Sequence, residues 1–226
     1  MCFIELKNVS KLYPMGGGHV KALDGISFRA DQGEFVTVTG PSGCGKSTML
    51  HILGGLDRPT SGTVSVDHED LYGMSENGRA AFRRNRAGIV YQFYNLVPEL
   101  TVEENIALPC ILNRQKADQN RLGEILDFLG LQTKRTCYPE QLSGGQQQKT
   151  AIGRAMMNRP MLLLADEPTG NLDSGMRDEI LELFQRLNEK AHMTIILVTH
   201  DAAVARAAGR TIRMLDGKII GDEVRL

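Results

Sequence analysis

Nine residues, GPSGCGKST, carry the strongest chemical signal in the chain. They fit G-x-x-x-x-G-K-[ST] between a stretch that reads as a strand and one that reads as a helix, the setting in which this pattern cradles phosphate. The candidate nucleotide-binding residues are therefore Gly40, Pro41, Ser42, Gly43, Cys44, Gly45, Lys46, Ser47 and Thr48. Glycines let backbone N–H groups converge on one concavity at the start of a helix. Lys46 is placed to reach the β- and γ-phosphates of a nucleoside triphosphate, and the Ser47 hydroxyl to ligate Mg²⁺. Position beside Lys46 and a helix N-terminus makes Cys44 the expected most reactive thiol.

A second run, LLLADEPTGNLD, ends an apolar strand in two acids. Asp166 falls at the carboxyl edge of a sheet, where a metal-bound ligand sits, and Glu167 is placed to deprotonate or orient an attacking water. Alone, an Asp-Glu pair commonly just ends a strand in solvent; the phosphate loop changes that balance. Gln92 after GIVY and His200 after IILVT also end strands at this edge, as candidates to touch the metal or water and the γ-phosphate or Glu167. Tyr13 reads as a turn residue ahead of PMGGGH that can stack on adenine. A second glycine run, LSGGQ, has no strand feeding it. Ser143 and Gln146 there form a Ser-x-x-Gln capping box, so a helix begins with free N–H groups around Gly144 and Gly145.

The elements that must position these groups follow from hydrophobic period. FIELKNVS and ALDGISFRA alternate as an antiparallel edge pair, and EFVTVTG, TVSV, GIVYQ, MLLLAD, TIILVT, TIRML and KII read as further strands. Helices are expected at 47–56, 144–157 and 174–190. TVEENIALPCIL opens with a Thr101/Glu104 capping box, and RLGEILDFLGL has helical spacing, so residues from about 96 to 157 form an inserted helical subdomain of a single domain, 1–226. The apolar sequence YNLVPEL makes 92–105 the expected route of coupling to a partner. The fold class is α/β, with a parallel or mixed core sheet and an N-terminal antiparallel subdomain.

Composition narrows the classes of function. Lys+Arg is 26 against Asp+Glu 27 in 226 residues, so no charge excess recruits nucleic acid. Four cysteines without a C-x-x-C pair point to a reducing cytoplasm. The apolar runs fall far short of the roughly 18–20 residues that cross a bilayer, so any membrane work needs a separate spanning chain.

GPSGCGKST, Gln92, LSGGQ, LLLADEPTGNLD and His200, in this order, resemble the nucleotide-binding subunit of the ATP-binding cassette superfamily over essentially the whole chain. GGLDRPTSG and YQFYNLVPELTVEENIALP resemble its lipoprotein-releasing, macrolide-export and cell-division subgroup. The resemblance implies ATP and Mg²⁺ as cofactors and a head-to-tail dimer with itself or a paralogous cassette, in which Ser143, Gly144, Gly145 and Gln146 close on the other subunit's ATP. It implies Tyr13 as the adenine-stacking residue, Ser47, Gln92 and Asp166 as Mg²⁺ ligands, and Glu167 as the base. Asp173 is similar to the residue linking the two sites, and His200 to the switch histidine. Lys149 stands where arginine is usual, and Gly153 where alanine is common. The implied activity is ATP hydrolysis driving a transmembrane permease from the cytoplasmic face of the membrane. An alternative is mechanical control of a cell-wall enzyme; a cytosolic cassette acting on DNA or ribosomes has less support.

Overall fold

A computed structural model describes residues 2–225. In chain order its elements are β1 (Cys2–Met15), β2 (Gly18–Asp31), β3 (Phe35–Thr39), α1 (Lys46–Leu53), β4 (Ser61–Val66), β5 (Glu69–Asp70), α2 (Glu76–Asn85), β6 (Ala87–Val90) and α3 (Val102–Leu112). Then come α4 (Gln119–Leu129), α5 (Gly144–Met156), β7 (Leu162–Asp166), α6 (Ser174–Ala191), β8 (Thr194–Thr199), α7 (Ala202–Ala205), β9 (Arg210–Leu215) and β10 (Lys218–Val224).

Two sheets result. The first is antiparallel in the order β2-β1-β4-β5; the second runs β10-β9-β3-β8-β7-β6, parallel from β9 to β6 with β10 antiparallel at its edge. The central strands are continuous apolar runs because both faces of the larger sheet are covered. Side-chain alternation divides each strand between two cores. Val36, Val38, Leu162, Leu164, Ile196 and Val198 face the core shared with α1 and the first sheet. Phe35, Leu163, Ala165, Ile195 and Leu197 face the opposite core with Ile106, Ile152 and Phe184.

Parallel register brings the candidate residues to one edge. Thr39 pairs with Thr199, Asp166 with Val198, and Val90 with Ala165. Gly40, Glu167, His200 and Gln92, which follow these strands, therefore leave the sheet side by side.

The helix starts are chemically specified. Thr101 and Glu104 form the expected capping box of α3, and Ser143 and Gln146 that of α5. Three differences from expectation have physical causes. α1 ends at Leu53, where Gly54 and Gly55 follow, instead of continuing to residue 56. α2 was not foreseen, being polar around its circumference with only Phe82 buried. Tyr13 is not a turn residue: β1 runs through it, paired with Val20, and the reversal tightens to Gly16 and Gly17.

Candidate functional site

The phosphate loop depends on glycine at two close approaches. Gly45 has φ 103°, and a Cβ there would lie 2.2 Å from the Ala22 carbonyl oxygen. Gly40 has φ 152°, and its Cβ would meet the Met214 carbonyl oxygen at 2.2 Å and Cys44 Sγ at 2.7 Å. The Cys44 thiol is thus packed beneath the loop, 4% exposed. Burial runs against the expectation that it is the most reactive cysteine, because reagents need access to the sulfur.

Lys46 is 6% exposed and bridges its own loop, donating from Nζ to the carbonyls of Gly40 at 2.8 Å and Pro41 at 3.0 Å. Backbone oxygens therefore hold the ammonium over the loop. Ser47 Oγ donates to Asp166 Oδ1 at 2.9 Å, joining the start of α1 to the end of β7. Burial pushes the Asp166 carboxyl above its ordinary value, with the Ser47 hydrogen bond and the charges of His51 and Lys46 opposing. A carboxylate so placed gains from a nearby divalent cation. Hydroxyl, carboxylate and amide oxygens are hard donors of the kind Mg²⁺ takes together with nucleotide phosphates, so the residues present fit that ion.

Glu167 occupies the left-handed region at φ 47°, a strained conformation for a residue with a side chain. Its N–H donates to the Val198 carbonyl at 3.0 Å, and its Oε1 lies 2.8 Å from His200 Nδ1. The Glu167 side chain is mostly buried while the imidazole is exposed. Gln92 lies slightly aside: its Nε2 donates to Asn171 Oδ1 at 3.3 Å, and it makes no hydrogen bond to Ser47 or Asp166. Asn171 returns a bond to the Gln92 carbonyl at 3.2 Å, tying the turn after Glu167 to the segment after β6.

Tyr13 is held on two sides. Its hydroxyl donates to Asp57, and Lys11 Nζ sits 4.8 Å from its ring centroid while also donating to Asp57 Oδ1 at 2.5 Å. Burial, then the bond to Asp57, raises the phenol above its ordinary value. Lys11 and Asp57 were missed from sequence, since their roles arise only from pairing of β1 with the turn after α1. His51, 3.9 Å from Asp166 Oδ2, was missed as well; one turn after Ser47 on α1, it was the most accessible to periodicity.

The residues Ser143–Gln146 make no hydrogen bond to residues 40–48 among the described residues. Ser143 Oγ accepts from the Gln146 N–H at 3.3 Å, and Gln146 Oε1 from the Ser143 N–H at 3.0 Å. Gly145 has a packing reason: a Cβ there would lie 2.1 Å from Met176 Sδ, on the helix that Asp173 caps by accepting from the Met176 N–H at 3.0 Å. Asp173 is thereby fixed against the start of α5. Away from this edge, a groove of about 450 Å³ opens between α2, β6, α3 and α5, lined by Arg84, Tyr91, Asn95, Leu108, Leu112 and Arg154 among others.

The family description "ABC transporter" matches residues 23–170. The lipoprotein-releasing system ATP-binding protein LolD 1 of Chlorobium chlorochromatii is 47% identical over 200 residues, covering 87% of this chain and 81% of that protein. The macrolide export ATP-binding/permease protein MacB of Syntrophobacter fumaroxidans is 47% identical over 223 residues, or 97% of this chain; the chain spans 31% of that relative's length. Among solved structures, the dimeric post-hydrolysis state of the ATP-binding cassette MJ0796 bound to ADP and Pi superposes with a TM-score of 0.90 at 41% identity, covering 98% of both chains.

Proposed function

This chain belongs to the ABC transporter family, and from that premise we propose that it is an ATP-hydrolysing subunit that pairs head to tail and drives a separate transmembrane permease, in a system of the export or lipoprotein-releasing kind. The observation that carries this reading is the convergence at one sheet edge of the Lys46 loop, the Ser47–Asp166 bond and the Glu167–His200 contact. No helix among the described residues is long and apolar enough to cross a membrane, which agrees with a separate permease. The proposed location is the cytoplasmic face of the membrane, and the proposed lobe for partner contact is 96–157.

In this reading Lys46 and the loop N–H groups hold the β- and γ-phosphates. Ser47, Asp166 and Gln92 would hold Mg²⁺, which when bound would neutralise phosphate charge. Glu167 accepts the proton of the attacking water, and His200 orients that carboxylate from its other side. Tyr13, steadied by Asp57 and Lys11, offers a ring face to adenine. Ser143, Gly144, Gly145 and Gln146 point a capped helix start at the second subunit's γ-phosphate, and Asp173 carries the state of one site to the other. The groove beside Tyr91 and Leu112 takes the permease segment.

Glu167→Gln tests the assignment: it keeps the shape but cannot accept the proton. The variant is expected to bind ATP with wild-type affinity and to lose at least 100-fold in steady-state hydrolysis. Near-normal turnover would remove Glu167 from the reaction.

A further inference from the structure

α5 begins at the LSGGQ run, and one turn later it carries Gln148, which is fully buried. Gln148 Nε2 donates to the Pro168 carbonyl at 2.6 Å and reaches the Tyr91 carbonyl at 3.4 Å. Pro168 follows Glu167, and Tyr91 precedes Gln92. One amide therefore grips the peptide units beside both residues assigned to the attacking water and the metal. The same helix holds the rest of that segment, because Arg154 donates to the Tyr94 carbonyl at 2.8 Å and the Asn95 carbonyl at 2.5 Å.

The other end of this side chain makes the choice of residue informative. Gln148 Oε1 is buried and has no hydrogen-bond partner among the described residues. Turning the amide over would set its oxygen against two carbonyl oxygens, so the partners fix its orientation. Methionine would fill the same space but take away the donor to the buried Pro168 carbonyl, and a glutamine whose own oxygen is unmet is a net cost unless that donor is used. What the donor holds is the turn that keeps Glu167 at φ 47° and directs its carboxylate to His200.

We propose that Gln148 is a positioning residue for Glu167 and Gln92, linking the helix that closes on one nucleotide to the water-activating side of its own subunit's site. The proposal rests on the ATPase reading above. When the LSGGQ end of α5 moves onto the partner's nucleotide, Gln148 carries the Pro168 and Tyr91 carbonyls with it.

The test is Gln148→Met, with Gln148→Leu as a second shape. Both are expected to bind a fluorescent ATP analogue within twofold of wild type and to stay within about 4 °C of its Tm, since the unmet Gln148 oxygen is exchanged for an unpaired Pro168 carbonyl. Turnover is expected to fall at least tenfold at little changed KM. Added to Glu167→Gln, Gln148→Met is expected to cause a smaller loss than it does in the wild-type background, because part of its effect passes through Glu167. Amide exchange should quicken in peptides covering 92–95 and 167–172 and nowhere else. That readout needs no hydrolysis, so it separates failure of this proposal from failure of the ATPase assignment. Turnover within twofold of wild type, a multiplicative loss on the Glu167→Gln background, or unchanged exchange in those two segments would each overturn it.

Discussion

Ser143→Arg separates a helix cap from a group that works on another subunit's nucleotide. The Ser143 hydroxyl accepts from the Gln146 N–H at 3.3 Å, and removing such a cap costs about 1 kcal/mol. For a chain of this size that is a Tm drop of about 2–4 °C. Against a total stability of about 5–15 kcal/mol, over 99% of molecules remain folded. Asp118 supplies the control, since its Oδ1 caps α4 by accepting from the Asn120 and Arg121 N–H groups at 2.9 and 3.3 Å. Asp118→Ala costs a similar amount of stability. If Ser143 were only a cap, the two variants would match in both Tm and turnover. In the proposed head-to-tail dimer an arginine there would fill the space for the second subunit's γ-phosphate and remove a donor set from it, so Ser143→Arg is expected to lose at least about 100-fold in turnover, the scale of losing one transition-state donor. Its ATP affinity should hold, as its own Lys46 loop is untouched. Thermal unfolding, analogue binding and steady-state phosphate release measure all three quantities. Wild-type turnover by Ser143→Arg, or an equal loss in Asp118→Ala, would refute the reasoning.

Leu112 is 61% exposed on the groove beside Tyr91, so Leu112→Glu is expected to leave basal hydrolysis unchanged and abolish stimulation by the reconstituted permease; retained stimulation would move the docking surface elsewhere. Arg210 pairs with Asp222 through two 2.7 Å hydrogen bonds and holds its carboxyl below the ordinary value. The contribution of this pair is therefore full above the unfolded pKa of about 3.9 and is lost as pH falls through the lower folded value. Urea unfolding of wild type and Asp222→Asn should accordingly differ by a constant amount near neutrality and converge below about pH 4; divergence in acid would contradict the pairing. Maleimide labelling of the native protein, read by peptide mapping, should reach Cys2 and Cys137 before the buried Cys44 and Cys110, and early labelling of Cys44 would contradict the packed loop.

Much of the site was readable because its chemistry is local in sequence. GPSGCGKST between β3 and α1, the acids closing β7, and the two capping boxes are each contained in a dozen residues or fewer, and all lie where expected. What escaped depends on distant pairing or on backbone conformation. The Lys11–Tyr13–Asp57 arrangement needs β1 set beside the turn after α1. The left-handed backbone of Glu167 leaves no mark on residue types, and Gln148 reads as one more polar residue in a helix until its burial is known. The segment 76–85 escaped for another reason: three arginines and two asparagines around one buried Phe82 give almost no apolar stripe to detect.

The central claim is that a bound ATP is gripped by Lys46 of one chain and Ser143 of another. Sedimentation with saturating Mg-ATP tests it directly, using Glu167→Gln to prevent turnover. That variant is expected to sediment as a dimer, at twice the 24.9 kDa chain mass, and the Ser143→Arg, Glu167→Gln double variant as a monomer of 24.9 kDa that still binds ATP. A double variant that dimerises as well as Glu167→Gln alone, or a Glu167→Gln protein that stays monomeric with ATP bound, would contradict the shared site.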